Sequence, residues 1–253
     1  METTAPTPPA TFLKLLAHEL RWRLLEALAR SDRRVQELVA LIGEPHNLVS
    51  YHLRRLKEHG LVSEHRSAAD GRDIYYTAEL DRLKVLYLAA GESLHPGLSE
   101  SSPGDLPMES VKRVRVLFLC THNSARSQMA EAILRHLGQE RMEIYSAGTE
   151  VTRVHPLAIE AMAAKGIDIS SQRSKHMDEF IGQPFDYVVT VCDNARESCP
   201  IFPGDPERIH WSIPDPSAVE GDDETKLKAF CVAADELMTR IRYLLQLIDR
   251  HRG

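Results

Sequence analysis

Val114 to Leu137 reads VRVLFLCTHNSARSQMAEAILRHL, and this stretch decides the fold of the half that carries it. A short apolar run from Val114 to Leu119 gives way to a polar turn and then to an amphipathic pattern. That order predicts a buried strand, a loop and a helix. Cys120 closes the strand and Arg126 stands six positions on, giving Cys-x5-Arg. A loop turning from a strand into a helix aims backbone N–H groups into a concavity, and such a nest favours an anion. Arg126 adds a planar fork of donors suited to a tetrahedral oxyanion. The same positive field is expected to stabilise a thiolate on Cys120. Read alone, Cys-x5-Arg fits equally a buried cysteine followed by an ordinary helix.

Downstream, Met142 to Ser146 predicts a strand, with a turn at Ala147-Gly148-Thr149. Pro156 to Lys165 reads as a helix ended by Gly166. Asp186 to Val191, DYVVTV, is a continuous apolar strand of the kind covered on both faces. Ile209 to Trp211 is a shorter strand, and Glu224 to Arg250 a long amphipathic helix. Alternating strands and helices predict a parallel α/β sheet. The oxyanion loop then sits at the carboxyl end of a strand, where such sheets place ligands. Cys192 and Cys199 lie in VCDNARESCPIF, just past DYVVTV, so Cys192 falls on the same sheet edge as Cys120. Cys199 is expected in a flexible polar loop, where the two thiols approach disulfide distance if the segment folds. Two unrelated structural cysteines, or half of a zinc site, remain the alternatives. Cys231, at an apolar position of the last helix, is expected in the core.

Upstream, Leu13 to Leu28 carries apolar residues at helical spacing over one or two helices. Arg33 to Ile42 reads as a short helix with Ser31 and Asp32 as capping candidates, broken by Gly43. Pro45 opens the next helix, which runs to about His59 with Val49, Leu53 and Leu56 inward. Leu61 to Glu64 and Asp73 to Thr77 read as strands around the turn Ala69-Asp70-Gly71-Arg72. A last helix covers Leu80 to Ala90. This order is a winged helix-turn-helix, whose second helix lies in the major groove of DNA.

The 253 residues suffice for two domains at roughly 100–200 residues each. Hydrophobic content of 43% and charged content of 27% describe a soluble globular protein. No apolar run approaches the roughly 18 residues of a membrane span, and METTAPTPPATF is no secretory signal. A net charge of −6 does not announce a nucleic-acid binder. Four cysteines, all after residue 119, point to redox or metal chemistry in the cytoplasm rather than to a disulfide scaffold. The expected division is a disordered tail over 1–10, a winged helix-turn-helix over 11–92, a Gly/Pro/Ser-rich linker over 93–112 and an α/β domain over 113–253.

CTHNSARSQMAE resembles the phosphate-binding loop of the low-molecular-weight tyrosine phosphatase superfamily, and most of all the thioredoxin-coupled arsenate reductases on that fold. The resemblance implies a four-stranded parallel sheet, with Thr121, His122, Asn123, Ser124, Ala125, Arg126 and Ser127 holding arsenate and phosphate competing for the seat. It implies Cys120 as nucleophile, Ser127 as the hydroxyl that lowers its pKa, and Cys192 and Cys199 as a redox relay emptied by thioredoxin. In HWSIPDPSA it implies Asp215, before Pro216, as general acid; Ser217 stands where the phosphatases usually have tyrosine. Some relatives bind potassium nearby. Asn123, Glu131 and Ser146 match three of those positions, but Lys175 occupies the fourth, so a fixed ammonium is expected instead and no cofactor is implied.

HNLVSYHLRRLKEHGLV resembles the recognition helix of the ArsR-type metalloregulatory repressors. That implies operator DNA as a partner and a homodimer. His46, Asn47, Ser50, Tyr51 and Arg54 would face the groove, and Arg55, Arg66 and Arg72 would meet phosphates. Glu58, Glu64, Asp70 and Asp73 dilute the basic face and leave open a winged helix used only for protein contact. The family's arsenite sensors carry paired cysteines on the first helix of the motif, but here RVQELVALIG has none, so a soft As(III) site is missing. His52, His59 and His65 are expected at the surface or facing DNA rather than on zinc. The combined reading is an arsenate reductase fused to a regulator of arsenic resistance. The alternatives are a tyrosine phosphatase, or a repressor that senses an oxyanion or redox state without turnover.

Overall fold

A computed structural model describes residues 9–95, 113–138 and 142–250. The expected tail and linker fall outside the described residues, except for residues 9–10 and 93–95. The described residues divide into two compact units, one of residues 9–67 and 71–95 and one of residues 68–70, 113–138 and 142–250.

In the first unit, α1 (Pro9–Leu16) and α2 (Glu19–Arg30) form the predicted pair of helices. Arg33 and Arg34 are not helical as expected. They form a two-residue strand, β1, opposite Tyr76 and Tyr75 of β3 (Ile74–Ala78), so α3 starts at Val35 and runs to Ile42. The start of α3 is closed by Glu37, whose carboxylate accepts from the Arg34 N–H at 2.8 Å, and not by Ser31 or Asp32. Gly43 ends α3 at φ 77°, in the left-handed region, and its N–H reaches the Val39 carbonyl. Pro45 precedes α4 (His46–Glu58). β2 (Val62–Arg66) pairs with β3 from Val62↔Ala78 to Arg66↔Ile74, and α5 spans Leu80–Glu92. Phe12, Leu24, Leu38, Val49, Leu53, Leu56 and Leu61 are fully buried and form the core of this winged helix.

The second unit holds a four-stranded sheet in the order β5-β4-β6-β7, all parallel. Its strands are β4 (Val114–Cys120), β5 (Met142–Gly148), β6 (Tyr187–Thr190) and β7 (Glu207–His210). Central β4 buries Val116, Leu117, Phe118 and Leu119, as an apolar run covered on both faces requires. α6 (Arg126–Gly138), α7 (Pro156–Ala163) and α9 (Asp223–Arg250) supply cover, with α9 packed on α6 and α7. The expected turn at 147–149 starts later, because β5 stays paired through Cys120↔Gly148. The segment after β6 is not simply a flexible loop: Asp193–Glu197 forms a short helix, α8. No described helix is long and apolar enough to cross a membrane.

Candidate active site

The loop between β4 and α6 owes its shape to what its carbonyls do. Thr121 O accepts from the Glu150 N–H at 2.8 Å, His122 O from Thr152 at 3.3 Å and Ser124 O from His155 at 2.8 Å. Asn123 O accepts from the Ser174 hydroxyl at 2.7 Å and from Gln128 Nε2 at 3.1 Å. Every peptide here is trans, so each carbonyl turned outward turns the next N–H inward. The N–H groups of His122, Asn123, Ser124 and Ala125 therefore converge on the interior. That of Asn123 donates to Cys120 Sγ at 3.1 Å, while those of Ser124 and Ala125 meet no acceptor among the described residues. Amides converging in this way form a nest of the kind that favours an anion.

Asn123 holds the turn. It sits at φ 47°, a left-handed conformation that asparagine tolerates. Its Nδ2 donates to Ser127 Oγ at 2.8 Å and to Ser146 Oγ at 2.9 Å, and its Oδ1 accepts from Lys175 N at 2.7 Å and Gln128 Nε2 at 2.9 Å. Ser127 Oγ lies 2.9 Å from Cys120 Sγ. Behind Ser146, buried Glu131 is met by Lys175 Nζ at 3.0 Å and Arg135 Nη2 at 2.6 Å. The Lys175 ammonium thus occupies a fixed place on Glu131.

Arg126 is buried at the first position of α6, with Nη1 donating to Ile213 O at 2.8 Å and Nη2 3.0 Å from Asp215 Oδ2. Asp215 also accepts from Ser217 N at 3.1 Å and Ser217 Oγ at 2.6 Å. Burial pushes the Asp215 carboxyl up, but Arg126 and Ser217 outweigh it and hold the group below the usual carboxylate range. For Cys120 the balance runs against the expected thiolate. Burial first, and then Cys192, push its thiol up, and Ser127 and Arg126 pull down by less.

Cys192 is buried at the sheet edge of Cys120, with Sγ 3.4 Å from Thr121 Oγ1 of the loop. Cys199 follows α8, half-buried, its thiol pushed up by burial against the pull of Arg208. The helical residues of α8, Asp193–Glu197, lie between Cys192 and Cys199 in the chain. The structure thus brings Cys120, Arg126, Asp215 and Cys192 to one edge and sets Cys199 beyond a helix. Cys231 is partly buried against the core.

Sequence reasoning missed Gly148, Gln128 and Ser174, which shape the loop from outside. The small residues of Ser146-Ala147-Gly148 were the available signal for the first. In the other unit, His46, Asn47, Tyr51 and Arg54 are exposed on α4, Ser50 and Arg55 half-exposed, and Arg66 and Arg72 exposed on the hairpin. Arg55 lies 2.8 Å from Glu58, and Arg66 donates to Gly71 O at 2.9 Å. His52 is not at the surface: it is buried, its ring 4.3 Å from that of His18, because α4 turns that position toward the start of α2. The described residues hold no group of three or more His, Cys, Asp or Glu arranged for a metal.

Residues 115–252 match the family model of the low molecular weight phosphotyrosine protein phosphatases, and residues 18–64 that of the bacterial regulatory proteins of the arsR family. An arsenate reductase of Halalkalibacterium halodurans is 46% identical over 128 residues, covering 50% of this chain and 91% of the relative. An arsenate reductase of Bacillus licheniformis is 44% identical over 128 residues, again covering 50% and 91%. A solved structure described as an arsenate reductase in oxidized state is 31% identical, covers 53% of this chain and 98% of its own, and gives a TM-score of 0.47.

Proposed function

We propose that this chain, which belongs to the low molecular weight phosphotyrosine protein phosphatase family and carries an arsR-family regulatory domain ahead of it, is a cytoplasmic arsenate reductase tethered to DNA. Arsenate enters the loop between Cys120 and Arg126, where inward amides and the guanidinium meet its oxygens. Its charge draws Arg126 from Asp215. A carboxylate that loses its cation and gains an anionic neighbour rises in pKa and takes up a proton. The Cys120 thiol passes its proton to an oxygen of the bound arsenate dianion, Asp215 protonates the departing oxygen, which leaves as water, and the Cys120 thiolate forms the bond to arsenic.

Cys192, as thiolate, next attacks Cys120 Sγ. A sulfur–sulfur bond forms, the sulfur–arsenic bond breaks, and its electron pair stays with arsenic, which leaves as arsenite. Cys199 then attacks Cys192 and frees Cys120. α8 opens for this second transfer, which lets the Cys199 sulfur come to Cys192. Reduced thioredoxin removes the final disulfide. The arsR-family unit, as a homodimer, docks α4 in the major groove of its operator.

The place of Cys192 carries this reading: its sulfur lies 3.4 Å from the hydroxyl of Thr121, on the edge where the loop holds Cys120. A phosphatase needs Cys120, Arg126 and Asp215 but has no use for a second thiol there. Ser217 after Asp215-Pro216 also removes the tyrosine that grips a phosphotyrosine ring. The test is arsenate-dependent NADPH oxidation with thioredoxin and its reductase. Turnover should vanish in Cys120→Ser, Cys192→Ser and Cys199→Ser. Hydrolysis of p-nitrophenyl phosphate that is indifferent to Cys192 and Cys199, with no arsenate turnover, would identify a phosphatase. Altered DNA binding without repeated turnover would identify a sensor.

A further inference from the structure

The backbone at Val191 and Cys192 is bracketed by two residues bonded to one buried imidazole. Thr190 Oγ1, at the end of β6, lies 2.8 Å from His210 Nδ1, and Asp193 Oδ1, at the start of α8, lies 3.2 Å from His210 Nε2. The Ser212 hydroxyl donates to the same Asp193 oxygen. Asp193, Thr190, His210 and Ser212 are each 5% exposed or less, and none of the four enters the sulfur chemistry. Between the fixed points the Val191 N–H donates to Leu119 O at 2.8 Å. Cys192 is left extended, at φ −157° and ψ 154°, immediately before α8.

A charge so deep in the fold is costly unless it is paired. Burial pushes the Asp193 carboxyl up, yet its bonds from His210 and Ser212 outweigh that and keep it ionised, well below the usual range. A buried carboxylate tying the end of β7 to the start of α8 is therefore a rigid fastening. It adjoins the residue whose sulfur must reach Cys120.

We infer that Asp193 is a positioning residue: held by His210 and Ser212, it fixes the first turn of α8 so that the Cys192 thiol stays beside the oxyanion loop for the first sulfur transfer. This inference rests on the reductase reading above. The transfer needs sulfur in line with sulfur, and a displacement of about 1 Å costs such a step up to 10²-fold.

The experiment uses the full chain carrying Cys199→Ser, which halts the relay at the Cys120–Cys192 disulfide. Arsenate is added, samples are quenched with acid and alkylating agent, and the disulfide is followed by mass spectrometry. Phosphate affinity is measured in parallel as the readout of the loop. Asp193→Ala should slow disulfide formation at least tenfold with phosphate affinity retained. Asp193→Asn, which keeps an acceptor for Ser212, should recover part of the rate. If Asp193→Ala also loses phosphate binding, Asp193→Asn decides: a slowed disulfide supports the assignment and a parental rate overturns it. Parental rates in both variants overturn the assignment alone. A parent that forms no disulfide with arsenate overturns the reductase reading, and the assignment with it.

Discussion

Gly148 faces the Thr121 carbonyl so closely that a Cβ built on it would stand 2.5 Å from that oxygen, and 2.7 Å from the amide nitrogen of Asn123. Both neighbours are backbone and cannot rotate away. Gly148→Ala must therefore displace the loop. Phosphate affinity is expected to fall at least tenfold, and stability by roughly 1–3 kcal/mol, the usual cost of overpacking. Calorimetric titration with phosphate beside thermal melting checks both, and an unchanged phosphate affinity would show that the strand end does not set the loop's shape.

The Arg126–Asp215 pair makes a prediction in acid. The folded-state pKa of Asp215 lies below its unfolded value, so the pair contributes stability that is fully present above the ordinary carboxylate pKa. That contribution is lost as pH falls through the folded value. Urea unfolding of the parent and of Asp215→Asn, from about pH 7 to about pH 3, should show a stability difference that shrinks on acidification. A difference constant over that range contradicts the pairing. Asp215→Asn should also slow arsenate reduction by on the order of 10²–10⁴ while phosphate still binds.

Cys120 behaves in the opposite sense. Its thiol is pushed up by burial and by Cys192, so its contribution to stability is present below the ordinary thiol pKa and fades as pH rises through the folded value. Cys192→Ser should lower the midpoint of Cys120 alkylation against pH, and Ser127→Ala should raise it. Peptide-resolved mass spectrometry after iodoacetamide treatment separates Cys120 from the other thiols. Movement of both variants in the same direction would contradict the assigned causes.

For the proposed docking on DNA, Arg66 and Arg72 are exposed on the hairpin and are assigned to phosphates. Contacts to phosphate are paid out in released counterions. Arg66→Ala and Arg72→Ala should each reduce the slope of log affinity against log salt by about 1 on a random-sequence duplex. Fluorescence anisotropy at several salt concentrations measures this. Slopes equal to the parent's would favour a winged helix that serves protein contact.

What the sequence disclosed was whatever local pattern could encode. The apolar run of β4, the Cys-x5-Arg spacing and the helical period of α4 each lie within one element, and each was readable. β1 was not, because Arg33 and Arg34 are strand only by virtue of Tyr75 and Tyr76 opposite them. α8 was missed because five residues of DNARE are too few to show a period. The burial of His52 depends on how α4 meets α2, which no spacing records. The upward push on the Cys120 thiol was hidden for a related reason: the field of the loop is visible in its residues, whereas depth beneath the surface belongs to the assembled fold.

The short helix between Cys192 and Cys199 has one more consequence. Under the proposed relay, unwinding α8 is the step that lets the Cys199 sulfur reach Cys192, so stiffening the Asp193–Glu197 segment should let the Cys120–Cys192 disulfide form and hold back the transfer that follows it.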